Sequence, residues 1–72
     1  MDKEKIAQAI LAIRGARDEA DTIAEYLARL AEQPDTSEIE DEYTEIIGDE
    51  FNHIIKFTEL ASELCGIDIP ED

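Results

Sequence analysis

Gln33-Pro-Asp-Thr-Ser37 separates two long segments in which apolar residues recur at helical spacing. Pro34 prevents a helix from continuing past Gln33, because the residue before a proline disfavours the α conformation. Ser37 followed by Glu40 has the spacing of a capping box, which predicts that a second helix begins here. A connection this short makes the two helices antiparallel neighbours. The sequence therefore predicts an all-α, antiparallel two-helix hairpin that forms one domain over residues 1–72.

The first helix is predicted from about residue 3 to residue 32, with Asp2 as its N-cap. Its apolar stripe comprises Ile6, Ile10, Ile13, Ala20, Ile23, Leu27 and Leu30. The stripe is interrupted by the polar segment Arg14–Asp21, which contains a glycine. Because glycine costs about 1 kcal/mol relative to alanine inside a helix, Gly15 marks either a bend or the close approach of another backbone.

The second helix is predicted from about residue 38 to residue 65, with Gly66 as a left-handed C-terminal cap. Its apolar stripe comprises Ile39, Tyr43, Ile46, Ile54, Phe57, Ala61 and Leu64. Glu50 and the only histidine, His53, fall inside this stripe. An ionised carboxylate in such a place needs a partner, and residues three apart on a helix lie on the same side.

A hairpin that closes near residue 35 pairs positions whose numbers sum to about 70. Glu50 and His53 then lie level with residues 16–21 of the first helix, so a carboxylate of that polar segment can face them. We expect a metal site made of Glu50, His53 and either Glu19 or Asp21. Carboxylate and imidazole ligands together suit iron, manganese or zinc.

A structural interpretation of the same residues stays open at this point. Arg17 also lies in the polar segment and could form a buried ion pair with Glu50. His53 would then be a neutral core residue, bonded to Asp49 or Tyr43.

Glu50-Phe-Asn-His53 matches the Glu-x-x-His element of the ferritin-like superfamily, and Glu19 is placed like the lone glutamate of the preceding helix. The chain resembles the short two-helix members, such as the encapsulated ferritins. That resemblance implies a homodimer that completes a four-helix bundle, with a di-iron site across its interface. It also implies ferroxidase chemistry, in which Glu50 and His53 each bind one iron terminally and Glu19 bridges or caps the pair.

A second resemblance is to all-α nucleotide pyrophosphohydrolases of the MazG type. Glu45-Ile-Ile-Gly-Asp49, followed by residues 60–68, is similar to their last metal-binding helix. These enzymes have a glutamate three residues before the aspartate, where this chain has Ile46. The Glu-Glu-x-x-Glu motif of their first helix is absent as well, although Glu19, Asp21 and Glu25 lie in the corresponding part of this chain.

The length of the chain predicts self-association. Chains below roughly 70 to 80 residues seldom build a self-sufficient core, and this one has 72. Tyr26, Leu30, Phe51 and Ile55 widen the apolar faces beyond a single seam between two helices. We therefore expect a homodimer, or a higher homo-oligomer, in which two hairpins form a four-helix bundle.

The charge of the chain limits its partners. Twenty acidic residues against six basic ones give a net charge of −14, which argues against direct binding of nucleic acid or an anionic membrane. A basic protein partner suits this charge, so an acidic helical inhibitor or nucleic-acid mimic without catalysis is an alternative function. A single cysteine, and the lack of a signal-peptide or membrane-spanning pattern, predict a cytoplasmic protein.

Overall fold

A computed structural model describes residues 2–71. The chain forms two long antiparallel helices joined by a short loop. The first, α1, spans Lys3–Glu32, and the second, α2, spans Glu40–Cys65. The all-α hairpin is thus confirmed. Asp2 caps α1 as predicted, because its Oδ1 accepts a hydrogen bond from the backbone N–H of Glu4 at 2.9 Å. Within residues 2–71, neither helix has an apolar stretch long enough to cross a bilayer.

Helix α2 begins later than the predicted residue 38, and the capping box of Ser37 does not form. The backbone N–H of Ser37 is bonded to Oδ1 of Asp35 at 3.0 Å, which holds Ser37 in the turn. Ile39 occupies the N-cap position instead and offers no side-chain cap. The backbone carbonyl of Thr36 accepts from the N–H groups of both Ile39 and Glu40, so this turn leads directly into the helix.

Helix α2 ends as the sequence predicts. Gly66 adopts the left-handed conformation, with φ 71° and ψ 18°, which an L side chain rarely tolerates. Its N–H donates to the carbonyl of Ser62 at 2.9 Å. The hydroxyl of Ser62 donates in turn to the carbonyl of Ile67 at 2.6 Å, which folds the last residues back along the helix.

The seam between the helices has the predicted register. Two pairs of facing residues show it. The rings of Tyr26 and Tyr43 pack edge to face, with centroids 5.1 Å apart. Gly15 faces Phe57, and a Cβ atom on Gly15 would lie 2.9 Å from the Phe57 ring. In each pair the residue numbers sum to about 70. The glycine therefore marks a close approach, as predicted, but of an aromatic ring rather than a backbone.

The residues that fill the seam differ in part from the predicted stripes. The buried positions are Ala9, Ala12, Ile23, Ile47 and Ala61. The larger residues Ile10, Ile13 and Leu27 are each about half exposed. The helices pack through small residues on α1 because these allow a close approach, and the predicted stripe of α1 consequently lies mostly beside the seam.

The hairpin has two broad faces of different composition. The apolar face carries Ile10, Ile13, Leu27, Phe51 and Ile55, all about half exposed, and the residues after α2 fold onto its edge. The opposite side, which we call the site face, carries a groove lined by Glu19, His53, Lys56, Phe57 and Leu60.

Candidate metal centre

Three potential metal ligands meet at the middle of the seam. Glu19 comes from α1, and Glu50 and His53 come from α2. Glu50 and His53 are one helical turn apart, so their side chains project from the same side of α2. The antiparallel register places Glu19 opposite them. These are the residues that the sequence predicts as metal ligands, and the fold brings all three together.

The ligand atoms lie at separations that one metal ion can span. Nδ1 of His53 is 3.6 Å from Oε2 of Glu19 and 3.8 Å from Oε2 of Glu50. Both separations are too long for a hydrogen bond. Two donors that share an ion at about 2.1 Å each stand roughly 3 to 4 Å apart. All the ligand atoms lie within 4.8 Å of one another, so the group needs only small side-chain movements to close around a cation.

Burial differs between the three side chains. Glu50 is the most buried at 18% exposed, Glu19 follows at 28%, and His53 is half exposed. The carboxylates therefore sit at the base of the site, and the imidazole forms its opening toward solvent. An ion held here would keep a coordination position accessible from the site face.

Glu50 carries the clearest sign of a missing partner. Its Oε2 is buried and has no hydrogen-bond partner within residues 2–71. Leaving a buried polar group without a partner costs about 1 to 3 kcal/mol, and more for a charged one. A cation between Glu19, Glu50 and His53 would contact this oxygen directly, so the group fits a metal ion.

The contacts that the structural interpretation requires are not formed within residues 2–71, and His53 instead lies within ion-pair distance of Glu19 and Glu50. The Arg17 guanidinium is largely exposed and lies 3.9 Å from the Asp18 carboxylate, and no ion pair joins it to Glu50 within residues 2–71. His53 is half exposed rather than a core residue, and it makes no hydrogen bond to Asp49 or Tyr43 within the same range. Tyr43 packs against Tyr26 instead.

Asp21, the other candidate ligand from α1, is exposed and lies outside the group. Glu45 and Asp49, which carry the MazG-type resemblance, are exposed too. Within residues 2–71 they form no metal-ligand group with a carboxylate of α1, so this alternative gains nothing from the geometry. No protein-family model matches the chain, and no curated protein or solved structure matches it either.

Two residues beside the site were not singled out in the sequence. Lys56 and Leu60 follow His53 by three and seven residues, and they line the same groove of about 400 Å³. Helical spacing from His53 is the signal that could have found them. Lys56 adds a positive charge beside the acidic group, and Leu60 adds an apolar wall.

Proposed function

We propose that this chain is a metal-binding protein in which Glu19, Glu50 and His53 hold a divalent transition-metal ion. Iron is the first choice, and manganese and zinc are the alternatives that suit the same ligands. The observation that carries the proposal is the buried Oε2 of Glu50, which has no hydrogen-bond partner among the described residues and lies 3.8 Å from Nδ1 of His53. The ligand separations of 3.6 and 3.8 Å support it.

The charge of the protein favours cation uptake at this point. Net charge is −14, and two of the three proposed ligands are carboxylates. The attraction between a divalent cation and this surface raises the local cation concentration before binding. Glu19 and Glu50 would supply the negative charge that neutralises the ion, while His53 would select a transition metal over calcium or magnesium.

The ferritin-like resemblance extends this proposal to redox chemistry. Bound iron would supply electrons to dioxygen or peroxide, which is the ferroxidase reaction. In its di-iron form the proposal additionally requires that the site face of one chain meet the site face of a second chain in a homodimer. Only then would two sets of Glu19, Glu50 and His53 surround one pair of ions.

Metal binding is tested by adding ferrous ion, under anaerobic conditions, or Mn²⁺ to the metal-free protein. We expect binding of about one ion per chain, and a rise in Tm of roughly 10 °C or more at a hundredfold excess over Kd. Both His53→Ala and Glu50→Gln should weaken metal binding by at least about tenfold. Substitution of residues that only support the ligands already lowers metal affinity by about this factor.

Glu45→Gln is the matched control, because it removes an exposed carboxylate from the same helix outside the group. It should bind metal like the unaltered protein. If Glu45→Gln and Glu50→Gln bound metal equally well and showed the same rise in Tm, the cation would be attracted by the acidic surface in general and not held by Glu50. No response of the unaltered protein to either ion would refute the proposed function.

A further inference from the structure

The two broad faces of the hairpin differ in charge as well as in exposed apolar area. Residues spaced by three or four along α2 form one row on the apolar face. From residue 44 to residue 62 this row is uncharged and consists of Thr44, Gly48, Phe51, Ile55, Thr58 and Ser62. The corresponding positions of α1 are Ile6, Ile10, Ile13, Arg17, Ala20, Ala24, Leu27 and Ala31. Arg17 is the only ionisable residue among these positions. Glu40 continues the α2 row at the loop end, and Arg14, Glu59 and Asp68 lie at the edges of the face.

The site face carries more carboxylates, although Lys56 and the half-exposed Leu60 also lie on it. Its rows include Asp18 and Glu25 on α1 and Glu42 and Asp49 on α2, in addition to the ligand carboxylates. Two chains of charge −14 that met through this face would bring these carboxylates together. Like charges placed across an interface repel one another and weaken association.

We infer that a second copy of this chain covers the apolar face, so that the hairpin dimerises through the side opposite its metal site. The net charge of the chain favours a second copy over a basic protein as the partner at this face. A basic partner would seek the acidic surface, whereas a second copy with the same charge of −14 approaches most easily where carboxylates are few. The apolar face is the broad face that meets this condition, since its carboxylates, Glu59 and Asp68, lie at its edges.

The size of the face and the weakness of the core support the same occupant. The hairpin measures 51 × 24 × 16 Å, so its broad side is long and wide enough for an interface of the roughly 800 Å² per partner that stable complexes bury. Within one chain, three of the five buried residues are alanines, and no side chain is fully buried among the described residues. Covering Ile10, Leu27, Phe51 and Ile55 would supply the apolar burial that a single hairpin lacks.

This interface would leave the metal sites on the outer faces of the dimer. Each site would consist of residues from one chain only, with the half-exposed His53 open to solvent. This dimer is incompatible with the di-iron form of the proposed function, in which ligands of two chains share the ions, and it agrees with the form in which each chain holds one ion. The inference does not depend on metal binding, because it concerns the other face.

Two substitutions on α2 test which face forms the dimer interface. Ile55 is 53% exposed on the apolar face, and Leu60 is 46% exposed on the site face, so neither substitution disturbs the seam. We expect the unaltered protein to sediment as a dimer. Ile55→Asp should raise the dimer dissociation constant by at least about a hundredfold, because it places a carboxylate in an apolar interface. Leu60→Asp should leave the dimer unchanged.

Thiol reactivity provides a second measurement with milder substitutions, in case Ile55→Asp does not fold. In a Cys65→Ser background, the thiol of Ile55→Cys should react with iodoacetamide at least about tenfold more slowly than the thiol of Leu60→Cys, because the interface excludes the reagent. Dilution below the dissociation constant should remove the difference.

Three results would overturn the inference: a folded monomer at micromolar concentration, dissociation caused by Leu60→Asp but not by Ile55→Asp, or equal reaction rates of the two thiols. The metal titration of Glu50→Gln is independent of all three. Failure of the interface therefore leaves the proposed metal site standing, and failure of the metal site leaves the interface standing.

Discussion

The ends of the interhelical seam and its middle are built on different principles. Toward the termini, Ala9, Ala12 and Ala61 form a close-packed apolar cluster with the ring of Phe57. Toward the loop, Ile23 and Ile47 are buried and two tyrosine rings pack edge to face. Between these ends lies the group of Glu19, Glu50 and His53.

The difference lies in how the side chains satisfy one another. At both ends, apolar groups bury apolar groups, and each contact stabilises the hairpin. In the middle, a carboxylate oxygen is buried without a hydrogen-bond partner within residues 2–71. A marginally stable chain retains such a group at a cost in free energy, so the middle of the seam is better explained by a ligand than by folding.

The largest expected effect comes from enlarging a cavity at the loop end. Ile23→Ala removes a side chain that is only 6% exposed, and it should lower the free energy of unfolding by about 2 to 5 kcal/mol. Leu11→Ala on the same helix removes a similar volume from an exposed position, and its effect should stay within about 0.5 kcal/mol. Urea unfolding at a fixed protein concentration compares the two, and equal losses would mean that the loop end is not packed as described.

A substitution in the middle of the seam should have the opposite sign. Glu50→Leu replaces a carboxylate with an unsatisfied oxygen by an apolar side chain of similar volume. In the absence of metal it should raise the free energy of unfolding by about 1 to 3 kcal/mol, because no buried charge is left without a partner. It should also abolish the stabilisation by added metal.

His53→Leu is the control for this prediction, since His53 is half exposed. It should change the stability of the metal-free protein little, yet it should weaken metal binding. A metal-free Glu50→Leu protein that melts below the unaltered one would show that Glu50 contributes to folding, and the contrast between the middle and the ends would disappear.

The two helical glycines differ in their surroundings: Gly15 lies in the terminal half of the seam, and Gly48 lies on the apolar face. Gly15→Ala should cost about 1 kcal/mol net, because the steric cost of overpacking against Phe57 exceeds the gain in helix propensity. Phe57 cannot move freely, since it packs on the alanine cluster. Gly48→Ala meets nothing within 4 Å in the same chain, and it should stabilise α2 by about 0.5 to 1 kcal/mol.

Thermal melts of both variants at one protein concentration measure this contrast. Stabilisation by Gly15→Ala would mean that the Phe57 ring yields to a methyl group. Destabilisation by Gly48→Ala would mean that a second chain closely approaches this position.

Much of this arrangement could be predicted from the sequence, because it depends on local signals. Pro34 predicts the loop and Gly66 predicts the end of α2. The register of the hairpin then predicts that Glu19 lies opposite Glu50 and His53. The choice of seam residues on α1 depends on a nonlocal effect instead. Ala9, Ala12 and Gly15 are weak apolar signals, yet their small size lets the helices approach, and the larger Ile10 and Ile13 turn outward as a result.

The start of α2 differs from the prediction because both backbone N–H groups that the capping box would use are bonded elsewhere: that of Ser37 to Asp35 and that of Glu40 to the carbonyl of Thr36. Ser37 has the right spacing to cap the helix, but Asp35 accepts a hydrogen bond from the N–H of Ser37 and keeps that residue in the turn. Asx turns of this kind depend on a local geometry that spacing alone does not reveal.

The smallest expected effect concerns this turn, where the loop end of the seam closes. The hydrogen bond from the backbone N–H of Ser37 lowers the pKa of the Asp35 carboxyl below its ordinary value of 3.8, with a further contribution from the Ser37 side chain. Because the folded-state pKa is lowered, the ionised carboxylate stabilises the fold above pH 3.8, and this contribution is lost as the pH falls through the folded-state pKa. Asp35→Ala should therefore lower Tm at neutral pH by less than Ile23→Ala or Gly15→Ala does, and the difference should vanish in acid. Glu38→Ala removes a charge from the same loop without removing this hydrogen bond, so a loss of Tm that is equal in both variants would assign the effect to net charge rather than to the turn.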